Sequence, residues 1–144
     1  MKKPGRGTYD TDKPPVITTV HRKTAYTTFD VEKNLSKDIV SEKISNFVGE
    51  KAILFTDEYS IYSNVIDHPK IVEHHTVNHS KKEYARGKIH VNNCENRHSL
   101  LRPFLRMYRG ISKHNLKGYL ALFQYLFNYK EDAYDKILQI ILKP

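Results

Sequence analysis

Two carboxylates stand out by where they fall in the chain. Asp57 closes the run Lys51-Ala52-Ile53-Leu54-Phe55-Thr56, a short apolar stretch without alternation that reads as a strand buried on both faces. The C-terminal end of such a strand is where loops leave the sheet and where ligands settle in open α/β folds. Glu95 follows His90-Val91-Asn92-Asn93-Cys94 and opens a segment in which Leu100, Leu101, Phe104, Leu105 and Tyr108 make one helical stripe. Two acids from separate elements, with His90 and Asn92 beside one of them, could converge on a hard cation that prefers oxygen ligands. Each acid also has a purely structural use. Asp57 can start a turn and cap the helical segment after it, and a first-turn acid such as Glu95 suits the positive end of a helix.

The other reactive residue types lead to weaker chemistry. His74, His75, His79 and His90 lie close in sequence, and His75-x-x-x-His79 is a zinc spacing on a helix. Ile71–Val77 reads as extended, however, so a structural zinc site is not expected there. Cys94 is the single cysteine, which excludes an internal disulfide and any cysteine-rich zinc module. No Gly-x-Ser-x-Gly nucleophile turn and no phosphate-binding glycine loop occurs. Arg102, Arg106 and Arg109 recur at i, i+4 and i+7, which on one helix makes a basic face suited to nucleic acid; a solvated charged face is the plainer use of the same pattern.

The elements that must position these residues follow from periodicity and punctuation. Residues 1–15 are rich in Gly, Pro, Lys and Asp and read as a loose basic arm, leaving residues 16–144 as the folded part. The stretches 16–20 and 25–31 are β-branched and aromatic and read as a hairpin through His21-Arg22-Lys23-Thr24. A helix comes next with Ser36 as N-cap, Val40, Ile44, Phe47 and Val48 on its inner face, and Gly49 as its C-terminal glycine. After the Asp57 strand come a helical turn near 59–65, a strand over 71–77 and a loop over 78–91. The last third is helical. The Glu95 helix breaks at Gly110, a second helix is capped by Ser112 and carries Leu116, Tyr119, Leu120, Phe123, Leu126 and Phe127, and a third has Tyr134, Ile137, Leu138, Ile141 and Leu142 at helical spacing. This order gives an α/β sandwich with helices covering a mixed sheet.

The 144 residues suffice for a real core, with 39% apolar and 28% charged residues marking a globular chain. The 24 Lys and Arg against 16 Asp and Glu leave a net +8, a surplus that attracts polyanions. No signal peptide is apparent after Met1-Lys2-Lys3, because Pro4-Gly5-Arg6-Gly7 stands where an apolar stretch should. The longest apolar runs are far below bilayer length. A cytoplasmic protein without membrane contact is the expectation.

Taken in order, these residues resemble a known family. Phe55-Thr56-Asp57-Glu58 with Tyr62, then His74/His75, Val77-Asn78-His79-Ser80, Tyr84 and Gly87, then His90-Val91-Asn92 and Glu95 are similar to the ISXO-type bacterial insertion-sequence transposases. Ser99-Leu100-Leu101-Arg102, Ser112-Lys113, Leu116, Tyr119-Leu120, Phe127-Asn128 and the leading Gly5-Arg6-Gly7-Thr8 continue the likeness over essentially the whole chain. The resemblance implies an RNase H-like catalytic domain with a carboxylate triad holding two divalent ions, Mg²⁺ or Mn²⁺. It makes Asp57 the second triad acid and Glu95 the third, with His90 and Asn92 beside the third. Arg102 falls where the family commonly has a basic residue, often Lys, that could steer DNA.

One departure is large. The family's first acid lies in an Asp-Glu-Thr-Tyr-like segment upstream of the Gly-Arg-Gly-Thr lead-in, and here Met1 falls after that point. Asp10 and Asp12 lie on the wrong side of the lead-in. The expectation is therefore an N-terminally truncated DDE-type domain that lacks its first, central strand and with it one metal-binding aspartate. The activity implied is phosphodiester cleavage and strand transfer, incomplete in the chain as given. The competing reading is a non-catalytic nucleic-acid-binding remnant. A small metal-dependent nuclease would need a further acid near Asp57, for which Glu58 and Glu73 are candidates. The partners expected are DNA, at the transposon ends and the target, and further copies of the chain in a homo-oligomer.

Overall fold

In a computed structural model the described residues are 14–77, 85, 86, 89–130 and 132–142. Expectations for the basic arm over 1–13, for His79 and for Tyr84 lie outside them. The chain divides into two compact units, residues 34–95 and residues 1–33 together with 96–144.

The unit of residues 34–95 is built around a parallel strand pair. Helix α1 (Lys37–Phe47) starts at Ser36, whose hydroxyl accepts the Ile39 N–H at 3.3 Å, satisfying one of the donors a helix leaves open. Strand β3 (Ala52–Asp57) pairs in parallel with β4 (Ile71–Val77). Parallel neighbours need a long crossover, and residues 58–70 supply it with two 3-10 turns, Ser60–Tyr62 and Val65–Asp67. Val40 and Ile44 of α1, Ile61 and Val65 of the turns and Ile71 of β4 form the core, with Ala52 and Leu54 packed against it. Two short strands, β5 (Ala85–Arg86) and β6 (Ile89–His90), pair antiparallel within the stretch expected to be loop. A run of two residues carries no periodicity, so sequence patterning could not reveal them.

Local punctuation differs from expectation at α1. Gly49 does not take the left-handed conformation of a glycine cap: the helix leaves through Val48 in extended conformation (φ −94°), whose N–H bonds the Ile44 carbonyl. Lys70 takes over the cap, its Nζ donating to the carbonyls of Ser45 at 2.7 Å and Val48 at 2.6 Å. A cation at the negative end of the helix satisfies carbonyls that would otherwise lack partners. Strand β3 also departs from burial on both faces. Leu54 and Ala52 face the core, whereas Ile53 on the opposite face is 47% exposed.

The other unit joins a hairpin to helices. Strands β1 (Val16–Val20) and β2 (Thr27–Val31) are antiparallel with Thr18 opposite Phe29. Helix α2 (Asn92–Met107) begins in the first unit and continues in this one, before helices α3 (Leu116–Tyr129) and α4 (Asp132–Ile141). Phe29, Leu101, Leu120 and Phe123 make the core, and Phe29 meets Phe123 edge-on at 5.5 Å. Gly110 breaks the chain after α2 with φ 111°. Ser112 does not cap α3. Its carbonyl accepts the N–H groups of Asn115 and Leu116 in a separate turn, and Asn115 is the residue before the helix.

Side-chain amides close the outer edge of β2. Asn128 accepts the Thr27 N–H at 2.9 Å and donates to the Thr27 carbonyl at 2.8 Å, while Gln124 accepts the Phe29 N–H at 2.9 Å. Residues one helical turn apart thus imitate a neighbouring strand. Each ladder among the described residues has two strands: one antiparallel hairpin, one parallel pair and one short antiparallel pair. Among the described residues the architecture is mixed α/β with these small sheets, and they do not join into the single mixed sheet expected from the sequence. Among the described residues no helix is long and apolar enough to cross a membrane.

Candidate active site

Asp57 is the last residue of β3 and stands opposite Val77, the last of β4, so both strands of the parallel pair end together at the candidate site. Val77 is completely buried and Asp57 half-buried. One carboxylate oxygen of Asp57 accepts the Tyr59 N–H at 3.1 Å, the side-chain turn that acids commonly make at the start of a loop. The structural use of Asp57 is therefore real, and it fixes the direction of the carboxylate as the chain leaves the strand.

A second polar link supports the same strand end. The buried Thr56 hydroxyl donates to the Asp57 carbonyl at 2.9 Å and lies 2.9 Å from Nε2 of His74. With its one hydrogen used on that carbonyl, Thr56 accepts from His74, which places the histidine proton on Nε2. Burial, reinforced by the charge of neighbouring His75, lowers the His74 pKa below its ordinary value, so the ring is neutral near pH 7. His75 points to the opposite face, where it stacks on Phe55 at 5.3 Å and bonds Glu73 at 2.9 Å. Adjacent residues of a strand face opposite ways, so the two histidines cannot share a zinc ion. The pairing of His74 with Thr56 leaves no mark in the sequence; the register of β3 against β4 creates it.

Glu95 belongs to the same unit. Strand β6 runs close to both β3 and β4, carrying the His90 backbone, and α2 starts two residues later at Asn92. Asn92 and Glu95 are exposed, and the Glu95 N–H bonds the Val91 carbonyl at 3.3 Å within the first turn. Asp57, His90, Asn92 and Glu95 thus belong to one compact unit. Among the described residues no three His, Cys, Asp or Glu side chains cluster as a metal-binding group. The donor type nevertheless suits a hard cation. Two carboxylates, with waters and a substrate phosphate, are an ordinary ligand set for one Mg²⁺ but a thin one for two.

The arginines separate into two kinds. Arg102 and Arg106 lie exposed on α2, one turn apart. The expected third member does not share their helix: α2 ends at Met107, and Arg109 lies two residues beyond with φ 47°. Gly110 and the turn after it win over the helical spacing. Arg97, which no motif in the sequence singles out, turns inward. Its Nε donates to Thr27 Oγ1 at 3.1 Å and its guanidinium sits 4.3 Å over the Phe127 ring. His98 bonds Thr18 at 2.8 Å in the same way. Only the spacing of these residues relative to Leu101 could have marked them as inward-facing.

The comparisons with known proteins agree with one another. Residues 1–128 match the model of the ISXO2-like transposase domain. A protein of Halobacterium salinarum, described as an uncharacterized protein in transposable element ISH50, is 32% identical over 120 residues. That alignment covers 83% of this chain and 40% of the relative, so the chain spans well under half of the curated relative's length. No solved structure matches. With the family model covering most of its length, the chain belongs to the ISXO2-like transposase domain family.

Proposed function

We propose that this chain is the metal-dependent, RNase H-like portion of an insertion-sequence transposase acting on DNA in the cytoplasm, with Asp57 and Glu95 as metal-ligating carboxylates. The observation that carries the reading is Asp57 at the C-terminal end of a parallel strand pair, in a chain of a transposase family. A hairpin, a helix and then a parallel pair is the succession such a fold would contain. Mg²⁺ or Mn²⁺ held there would supply Lewis-acid activation of water or a 3′-hydroxyl and stabilisation of the leaving oxygen in phosphodiester cleavage and strand transfer. The chain's own part is to orient. The Tyr59 N–H and the Thr56–His74 link hold the Asp57 carboxylate and backbone, and the first turn of α2 holds Glu95, with His90 and Asn92 adjacent. Arg102, Arg106 and Arg109 hold the DNA backbone. Two-ion chemistry needs a further acid to complete the set.

The second reading is a nucleic-acid-binding module without catalysis, favoured by the lack of a three-membered metal cluster among the described residues. Calorimetric titration with Mn²⁺, paired with cleavage of a transposon-end duplex, separates the two. The expected result is weak Mn²⁺ binding that Asp57→Asn and Glu95→Gln each reduce several-fold, with little cleavage by the chain alone. Mn²⁺ binding indifferent to both substitutions would leave only the binding-module reading.

A further inference from the structure

The connection between β1 and β2, residues 21–26, is longer than the tight turn that most often joins such strands, yet hydrogen bonds fix its shape. The His21 N–H donates to the Tyr26 carbonyl at 2.8 Å, and the Ala25 N–H donates to the His21 carbonyl at 2.8 Å. Nδ1 of His21 accepts the Thr24 N–H at 3.3 Å and lies 2.7 Å from the Thr24 hydroxyl, which accepts the Tyr26 N–H at 3.3 Å. Ala25 stands in the left-handed region at φ 59°, a conformation that glycine usually supplies. At the base of the tip the Thr27 hydroxyl donates to the Ala25 carbonyl at 2.9 Å, and Asn128 of α3 holds the Thr27 backbone. A turn fixed in this way loses little further freedom when it binds.

The tip presents cations and an aromatic ring. His21, Arg22, Lys23 and Tyr26 are exposed, and from residue 13 to residue 29 the sequence contains no Asp or Glu. Thr27 and Phe29 are buried on the core side, so alternation along the strand puts Tyr26 on the opposite face, 44% exposed and across from His21. Cations beside an aromatic face are the combination that binds single-stranded nucleic acid, the charges following phosphates while the ring stacks on a base. A base inside a duplex offers no face to such a ring, and an acidic peptide would answer only the charges. We propose that the β1–β2 tip is a binding site for an unpaired nucleotide of a DNA strand, stacked on Tyr26 with its flanking phosphates held by Arg22 and Lys23. The inference rests on the reading of the chain as a protein that acts on DNA, and adds to it a preference for DNA with unpaired bases over blunt duplex.

The test is fluorescence anisotropy of the full chain on a labelled blunt duplex and on the same duplex carrying a short single-stranded thymidine extension. Affinity for the extended duplex should be about tenfold higher, in the lower part of what one base stacked on an aromatic ring contributes. Its plot of log K against log salt should be steeper by about 1.4, from two further phosphate contacts at about 0.7 each on a single strand. Tyr26→Ala should abolish the preference and leave blunt-duplex affinity unchanged, whereas Tyr26→Phe, which keeps the ring, should retain it. The double variant Arg22→Ala, Lys23→Ala should remove the extra salt dependence. These positions are exposed, and an unchanged circular dichroism spectrum and Tm would show that each variant still folds. Arg102→Ala should weaken both complexes alike, which separates the tip from α2. Equal affinity for the two duplexes overturns the proposal and leaves the DNA reading standing, as does a preference that persists in Tyr26→Ala. Binding to neither duplex overturns both.

Discussion

At the scale of single residues, the hydrogen bonding beside Asp57 involves a histidine whose charged form is disfavoured by burial. Nε2 of His74 donates to Thr56, whose own proton is used on the Asp57 carbonyl, so protonating the ring adds a charge to a half-buried site already close to His75. Its pKa is lowered in the folded protein by burial first and by His75 second. Above about pH 6.5 the ring is neutral in folded and unfolded chains alike, and the full stability is present. As pH falls below that value the unfolded chain takes up the proton first, so stability declines until the folded pKa is passed. Urea midpoints should therefore drop between pH 7 and pH 5, and His74→Gln should flatten that part of the profile while leaving other acid-induced losses in place. A slope unchanged in His74→Gln would assign it to other groups. Asp57 itself shows why a motif alone does not settle a role. Its carboxylate makes a turn bond to Tyr59 and still stands at the strand end where a ligand would be met.

At the scale of elements, the amide pair on α3 shows what a sheet edge requires. Thr27 is completely buried, so its backbone N–H and carbonyl must find partners, and Asn128 satisfies both. Asn128→Ala leaves two buried backbone groups without them and should cost about 2–3 kcal/mol, each unsatisfied group costing roughly 1–3 kcal/mol. Chemical denaturation reads this directly, and a loss below about 0.5 kcal/mol, the size of an ordinary surface change, would mean that water or another side chain substitutes. The elements are legible where periodicity is strong: the hairpin, α1 with its Ser36 cap, β3 and β4, and the three C-terminal helices all lie where the patterns put them. The hidden features depend on distant partners. The cap on α1 comes from Lys70, 22 residues beyond Val48, and so Gly49 has no left-handed turn to make. Arg97 looks like one more surface cation until Thr27 and Phe127 meet it. The apolar stripe of α4 is legible as a stripe, but helical spacing does not tell which half of a wide apolar arc the protein itself covers. The candidate site is legible as Asp57 and Glu95 through the family likeness, while the Thr56–His74 link beside it arises only from strand register.

At the scale of the whole molecule, charge is unevenly distributed along the chain. Between Glu95 and Glu131 the sequence holds no acid, but it holds Arg97, Arg102, Arg106, Arg109, Lys113, Lys117 and Lys130. Acids return only at the start of α4, so the region that includes α2 and α3 carries much of the net +8. Cations facing phosphates release condensed counterions, and the dependence of affinity on salt measures how many do so. If Arg102, Arg106 and Arg109 are the phosphate contacts, a plot of log K against log salt should have a slope near −2.7, about 0.9 per phosphate. That slope corresponds to a fall of about 40-fold between 50 and 200 mM salt on a duplex of arbitrary sequence. Arg102→Ala and Arg106→Ala should each reduce the slope by about one and weaken binding to all sequences alike. Arg97→Ala is the control that distinguishes surface charge from packing. Its guanidinium is committed to Thr27 and Phe127, so its removal should lower Tm while the salt slope of the folded protein stays the same. Fluorescence anisotropy on a labelled duplex, read against a Tm for each variant, gives both quantities. A slope near zero in the unmodified chain, or one that Arg97→Ala changes and Arg102→Ala does not, would place the DNA contact elsewhere.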